Sequence, residues 1–257
     1  MQVEELVDAL RPHLADALVA TDFDGTLAPL VPDPQDSRPV DGTIESLTAL
    51  AGCGAHIAVI TGRDAQTVVR LGSLDAIPGV LVAGLYGLET WADGRLDTPD
   101  IPPVIEQLRD RLPAIVAAGG DPDVWIEDKR LSLVVHARKA DDPEAALARL
   151  VRPVTALATE LGLEAHPGAD VLEIRLPGYD KAGVITRLAA DRAAVLYVGD
   201  DLGDLPAFAA IRRLRDAGAI AYSVAVRSSG VPELAGVADV DVPDPAAVGG
   251  LFTALAN

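Results

Sequence analysis

The chain has one cysteine in 257 residues, Cys53, so no internal disulfide is available and a reducing compartment is expected. Aromatic residues make up only 4%, which leaves packing to Ala, Val, Leu and Ile within a 49% hydrophobic composition. Basic residues are also scarce: 21 Lys and Arg against 39 Asp and Glu give a net charge of −18. That balance argues against nucleic acid and against anionic membrane surfaces as partners. No uninterrupted apolar run is long enough to span a bilayer. Met1 to Leu18 carries Leu6, Leu10, Leu14 and Leu18 at helical spacing among acidic residues, and reads as an amphipathic helix rather than a secretion signal. A cytoplasmic, monomeric protein is the expectation.

Against this background the segment Val19-Ala20-Thr21-Asp22-Phe23-Asp24-Gly25-Thr26 sets two carboxylates two residues apart where an apolar strand runs out into a loop. Past the last ladder bond both can turn to one crevice, helped by Gly25. Open α/β sheets carry their chemistry there. One carboxylate could attack a phosphorus atom while the other handles the proton of the leaving group. Two anions facing an anionic substrate require a cation, and magnesium prefers such oxygen donors. A solvated Asp-Gly turn is the simpler alternative.

Three later pieces share the same setting. The strand-like run Ala55 to Ile60 delivers Thr61, Gly62 and Arg63 to a loop, with a hydroxyl and an open N–H suited to a phosphoryl group. A Thr-Gly pair is equally ordinary at a helix start. Lys181 opens a helix, where a cation is unfavourable for the dipole unless an anion meets it. Its partners could be Asp22 and phosphoryl oxygens, or only water. Val195 to Gly199 then runs into Asp200, Asp201 and Asp204, a crowding of charge that costs Coulomb energy without a cation. Asp200 is the candidate third metal ligand, with Asp201 and Asp204 behind it or capping a helix.

In this order the pieces resemble the haloacid dehalogenase superfamily and, within it, the trehalose-6-phosphate phosphatase family. The narrower likeness rests on Gly87-Leu88-Glu89, Glu127-Asp128-Lys129, Leu131-Ser132-Leu133, His136-Ala137-Arg138 and Leu172-Glu173-Ile174-Arg175. The resemblance implies Asp22 as nucleophile and Asp24 as general acid and base. It implies Asp22, the Asp24 carbonyl and Asp200 as magnesium ligands, and Thr61 and Lys181 as phosphate contacts near Gly25 and Gly62. Sugar hydroxyls would be held by Glu127, Lys129 and Glu173, with Arg63, His136 and Arg175 as further candidates. Its partner would be a small sugar phosphate, with a sugar-phosphate synthase as a neighbour in the pathway. Leu85-Tyr86-Gly87 departs from the family's Ser-His-Gly or Asn-His-Gly, and Gly203 and Leu205 replace the usual Thr and Glu around Asp204. A related disaccharide or pseudo-disaccharide phosphate, another sugar phosphate, a phosphomutase reaction and a noncatalytic sensor are the alternatives.

The expected architecture is α/β: a haloacid dehalogenase-like, Rossmann-like parallel-sheet core over residues 1–97 and 179–257, with an inserted α+β cap over 98–178. A hairpin through Ala92-Asp93-Gly94-Arg95 precedes the insertion. Within it, a helix and two strands occur twice, which predicts a small antiparallel sheet with two helices on one face.

Overall fold

Pro12 ends the amino-terminal helix sooner than the leucine spacing predicts. In the computed structural model, which describes residues 1–168 and 170–257, α1 spans Val3–Leu10 and passes into a 3-10 helix, Arg11–Asp16. Pro12 has no N–H for the carbonyl of Asp8, and the chain must extend into β1, Ala17–Thr21. Leu18 therefore lies on a strand instead of on the helix.

The chain divides into two units, Met1–Thr98 with Tyr179–Asn257, and Pro99–Gly178. In the first unit β1 is followed by α2 (Thr43–Gly52), β2 (His56–Ile60), α3 (Ala65–Gly72) and β3 (Leu81–Gly84). A hairpin of β4 (Glu89–Ala92) and β5 (Arg95–Asp97) leads out of it.

The second unit contains α4 (Pro103–Ala118), β6 (Trp125–Asp128), β7 (Ser132–His136), α5 (Pro143–Glu160), β8 (Glu164–Gly168) and β9 (Val171–Arg175). The first unit then resumes with α6 (Lys181–Leu188), β10 (Ala194–Gly199), α7 (Leu205–Asp216), β11 (Ile220–Val226), β12 (Val240–Val242) and α8 (Pro245–Ala256).

The larger sheet has the order β12-β11-β10-β1-β2-β3-β4-β5 and is parallel from β12 to β3, with the hairpin antiparallel at its edge. Its central strands are buried on both faces and alternate between two cores. Val19, Val59, Leu196 and Val198 pack with residues of α1, α2, α3 and α8, whereas Ala20, Ile60, Val195 and Tyr197 pack with α6 and α7. That double burial is why these strands read as continuous apolar runs. Truncating one of the fully buried leucines, such as Leu50, would cost about 2–5 kcal/mol. Thr21 pairs with Val198 on one side and Val59 on the other, so the loops after β1, β2 and β10 leave the same edge. Among the described residues no helix is long and apolar enough to cross a membrane.

The smaller sheet has the antiparallel order β6-β7-β9-β8. Leu133, Val135, Leu172 and Ile174 face α4 and α5 in one apolar core. The intervening residues Trp125, Glu127, Ser132, His136, Glu173 and Arg175 point to the opposite face by strand alternation.

Candidate active site

Three strand ends of the larger sheet gather buried charge. The Asp22 N–H donates to the Val198 carbonyl at 2.9 Å, which extends the β1–β10 ladder by one residue and fixes where the next side chain emerges. Asp22 Oδ1 accepts from the Phe23 N–H at 2.6 Å, and Oδ2 accepts from Lys181 Nζ at 2.7 Å. Beyond it the chain folds back tightly, with the Leu27 and Ala28 N–H groups both donating to the Phe23 carbonyl. Gly25 has φ +73°, and a Cβ there would collide with the Asp200 carboxylate. Only glycine lets this loop close over Asp200.

The three acidic positions after β10 divide their work. Asp200 Oδ1 accepts from Thr26 Oγ1 at 2.8 Å and keeps its other oxygen for a ligand. Asp204, fully buried, accepts from Lys181 Nζ at 2.6 Å and from the Tyr197 hydroxyl, and through its other oxygen from the N–H groups of Asp200 and Asp201 at 2.8 and 3.0 Å. With four donors its carboxylate is full. It holds Lys181 from behind, and Lys181 in turn reaches Asp22. Asp201 caps the short helix that follows, accepting from the Gly203 N–H at 2.8 Å.

The charges are unequal in number, and proton affinities show it. Burial pushes the Asp22 carboxyl well above the usual range against the pull of Lys181, and the neighbouring aspartates add to the rise. Burial, then Asp204, lifts Asp200 to about 7. Asp204 is buried as deeply, yet the Lys181 ammonium and its hydrogen bonds hold it below the usual range. Burial works against the Lys181 ammonium, but Asp204 and Asp22 outweigh it and keep the lysine charged.

Carboxylate oxygens of Asp22, Asp200 and Asp204 lie within 4.8 Å of one another. Buried oxygen donors with one ammonium among them fit a hard divalent cation such as magnesium. Asp22 and Asp200 retain lone pairs for it, whereas those of Asp204 are spent. The expected ligand carbonyl of Asp24 lies in the same loop.

Asp24 turns its carboxylate elsewhere. Arg63 grips it in a fork, and Ser37 Oγ donates to Oδ1 at 2.9 Å. Arg63, a candidate sugar contact from the sequence, is thus engaged by the second carboxylate of the Asp-Phe-Asp loop. Thr61 Oγ1 accepts from the Arg63 N–H at 3.1 Å, so its hydroxyl proton remains available to a ligand. The Leu85 and Tyr86 N–H groups donate to the carbonyls of Arg63 and Thr61 at 2.8 and 3.0 Å, pinning the turn after β3 to this loop. Leu85 and Tyr86 both have positive φ, 48° and 58°, a backbone state that costs on the order of 1 kcal/mol or more per residue. The Tyr86 phenol fills the space that a Cβ on Gly62 would occupy.

The second unit carries the remaining candidates on one sheet face. His136 Nε2 meets Glu127 Oε2 at 2.8 Å, and the His136 ring stacks on Trp125 with centroids 4.7 Å apart. The hydrogen bond from His136 draws the Glu127 carboxyl below its usual range. Ser132 Oγ donates to Glu173 Oε1 at 2.9 Å, and Lys129 Nζ lies 3.8 Å from the same oxygen. Arg175 is buried beside them on the same face, across the ladder from Ser132. Ser37, Trp125 and Tyr197 carry no sequence signal of their own, whereas Ser132 and Tyr86 lie in the segments Leu131-Ser132-Leu133 and Leu85-Tyr86-Gly87, which gave neither of them a role. Only the β7–β9 register, in which Ser132 falls near Glu173, could have suggested one of them.

A parallel sheet of this order, with an Asp-x-Asp loop after its central strand and a second unit inserted in the chain, defines the haloacid dehalogenase-like fold. A haloacid dehalogenase-like hydrolase from Bacteroides thetaiotaomicron matches it with TM-score 0.67 at 14% identity, over 93% of this chain and 98% of that one. The C-terminal domain of the C. albicans trehalose-6-phosphate phosphatase matches with TM-score 0.81 at 20% identity, over 99% of this chain and 96% of that domain. The sequence pattern of the trehalose-phosphatase family covers residues 20–245, and the chain belongs to that family. A trehalose-phosphate phosphatase of Mycobacterium leprae is 32% identical over 272 aligned positions, which take in 94% of this chain and 60% of that protein. The chain thus spans about 60% of that relative's length.

Proposed function

We propose that the chain hydrolyses trehalose 6-phosphate to trehalose and phosphate, with magnesium, through an aspartyl-phosphate on Asp22. The observation that carries this reading is the buried Asp22–Lys181–Asp204 chain beside Asp200: one carboxylate held at a strand end by an ammonium, with too much negative charge around it for a purely structural cluster. Family membership supplies the sugar.

Asp22 and Asp200, with the Asp24 carbonyl, would hold magnesium, which when bound neutralises charge on the phosphoryl oxygens and lets an anion approach an anion. Lys181 places a positive charge at the nucleophile, where the phosphoryl group arrives. Thr61 contributes a hydroxyl donor whose acceptor side is already used. Asp22 attacks phosphorus, Asp24 gives a proton to the departing sugar oxygen, and Asp24 then takes one from the water that opens the acyl phosphate. In the inserted unit, Glu127, Lys129 and Glu173 are assigned to sugar hydroxyls, with His136 and Arg175 as supporting groups. Ionised side chains that both give and take hydrogen bonds suit a polyol. Leu85 and Tyr86 favour a second reading of the sugar, a related disaccharide phosphate, since they stand where the family has a small polar residue and a histidine.

The substrate would come from a sugar-phosphate synthase, and a cytoplasmic setting suits the single, exposed Cys53. Rapid quenching during turnover, followed by borohydride reduction, tests the intermediate. Homoserine at position 22 is the expected product, and its absence there while phosphate is being released would refute the covalent step.

A further inference from the structure

Two loops that are distant in sequence meet on one carboxylate. Arg63, between β2 and α3, donates from Nε to Asp24 Oδ2 at 2.5 Å and from one terminal nitrogen to Asp24 Oδ1 at 2.7 Å. Its other terminal nitrogen donates to the Pro34 carbonyl at 2.7 Å, which ties the guanidinium to the loop that carries Ser37. Ser37 Oγ donates to Asp24 Oδ1 at 2.9 Å, and Ser37 is fully buried. A fork of this kind fixes the plane of a carboxylate as well as its position, which a lysine cannot do.

The two oxygens of Asp24 are not equivalent. A carboxylate oxygen has room for about two hydrogen bonds, and Oδ1 already accepts two while Oδ2 accepts one. What differs is the position: the oxygen that meets Ser37 and the Arg63 terminal nitrogen is full, and the one at Arg63 Nε has room for one more contact.

We infer that Arg63 and Ser37 are positioning residues for Asp24, saturating Oδ1 so that Oδ2 is the one atom through which protons pass during phosphate transfer. The inference rests on the reading of Asp24 as proton donor and acceptor given above. In the first step an Asp22 oxygen–phosphorus bond forms, the bond from phosphorus to the sugar oxygen breaks, and the proton on Asp24 Oδ2 moves to that oxygen. In the second step a water oxygen–phosphorus bond forms, its proton returns to Asp24 Oδ2, and the acyl phosphate bond breaks. Asp24 ends with the proton it began with, and Arg63 and Ser37 change no bonds. This assignment moves Arg63 from the sugar to the proton path.

The dependence of rate on the leaving group separates such a role from a structural tie. A dinitrophenolate departs without help, whereas phenolate and a sugar alkoxide need the proton. The experiment measures kcat and KM for trehalose 6-phosphate, phenyl phosphate and 2,4-dinitrophenyl phosphate with saturating magnesium, in the wild type, Arg63→Met, Arg63→Lys and Ser37→Ala. For Arg63→Met the expected loss in kcat is roughly 30–100-fold on the first two esters and under about threefold on the third. Arg63→Lys should recover part of the loss. Ser37→Ala should show the same pattern at about fivefold, the scale of one hydrogen bond, and it carries the test if Arg63→Met does not fold.

Equal losses on all three esters would overturn the inference and leave Arg63 as a tie between loops. A rise in KM for trehalose 6-phosphate with phenyl phosphate unchanged would also overturn it, in favour of a sugar contact. In both cases the wild type still turns over, so the phosphatase reading stands. A wild type that releases phosphate from none of the esters would overturn both.

Discussion

The two units handle charge in opposite ways. In the first, Asp22, Asp200 and Asp204 are all nearly free of solvent, and one buried ammonium, Lys181, reaches Asp22 and Asp204 but is not paired with Asp200. In the second, Glu127 is matched by His136, and Glu173 by Lys129 and Ser132. Glu127 remains about half exposed at its side chain, at 48%. Burial, with the neighbouring aspartates adding to it, drives Asp22 and Asp200 toward their neutral forms, while Glu127 is held ionised by its hydrogen bond to His136. A cluster short of positive charge is prepared to receive a cation. A set already paired can exchange its partners for sugar hydroxyls with little change in net charge. The first arrangement suits chemistry and the second suits recognition.

Breaking the unbalanced cluster should have the largest effects. Asp22→Asn keeps the volume and removes the carboxylate proposed to attack phosphorus, so turnover should fall on the order of 10⁴-fold with the fold intact. Activity within tenfold of wild type, with deamidation controlled, would remove Asp22 from its role.

Stability should separate the units next. Lys181→Met strands two buried carboxylates and should cost about 3–5 kcal/mol in chemical or thermal unfolding. Lys129→Met removes a long, partly exposed contact and should cost under about 1 kcal/mol. Similar costs would erase the distinction drawn above. Recognition should then sharpen it. Glu173→Ala should lower kcat/KM for trehalose 6-phosphate by about 30-fold, the scale of a lost charged hydrogen bond, and change hydrolysis of an aryl phosphate much less. Equal losses on both would take Glu173 out of sugar recognition.

The smallest effect concerns pH and metal. Asp200 in the folded protein titrates near 7, above its unfolded value of 3.8, so the folded state holds the extra proton between those limits. Its contribution to stability is therefore fully present below the unfolded value and is lost as pH rises toward 7. Without divalent cation, thermal stability should decline over that window through this group. Magnesium should raise the melting temperature most near and above pH 7 and release protons as it binds. A magnesium effect that is absent, or equal at pH 5 and pH 7.5, would contradict the cluster's need for a cation.

Sequence reading went furthest where local pattern and chemistry coincide. Val19 to Asp24 and Val195 to Asp200 are apolar runs ending in carboxylates, and a run buried on both faces can be recognised without knowing its neighbours. The Ala92–Arg95 hairpin carries its own turn residues. The end of α1 was legible only in retrospect, because the leucine spacing continues past Pro12 while the backbone cannot. Most long-range side-chain partners were beyond reach. Arg63 and Asp24 are 39 positions apart, and nothing in either segment indicates that the fork closes on Asp24 and not on a ligand. The lysine at the start of α6 signalled an anion, and Asp22, expected from the sequence, is one of its partners; the second, Asp204, was not expected. The Tyr86 contact was equally hidden, since it depends on a left-handed backbone that tyrosine rarely adopts.

The central claim, that the unbalanced cluster performs phosphate transfer and the paired face selects the sugar, is tested most directly by one comparison. Magnesium-dependent phosphate release should be measured on trehalose 6-phosphate, sucrose 6-phosphate, glucose 6-phosphate and a pseudo-disaccharide phosphate, with Asp22→Asn alongside. The account predicts a strong preference for trehalose 6-phosphate and no release by the variant. Turnover confined to a different ester would contradict the sugar assignment, and release that persists in Asp22→Asn would contradict the chemistry.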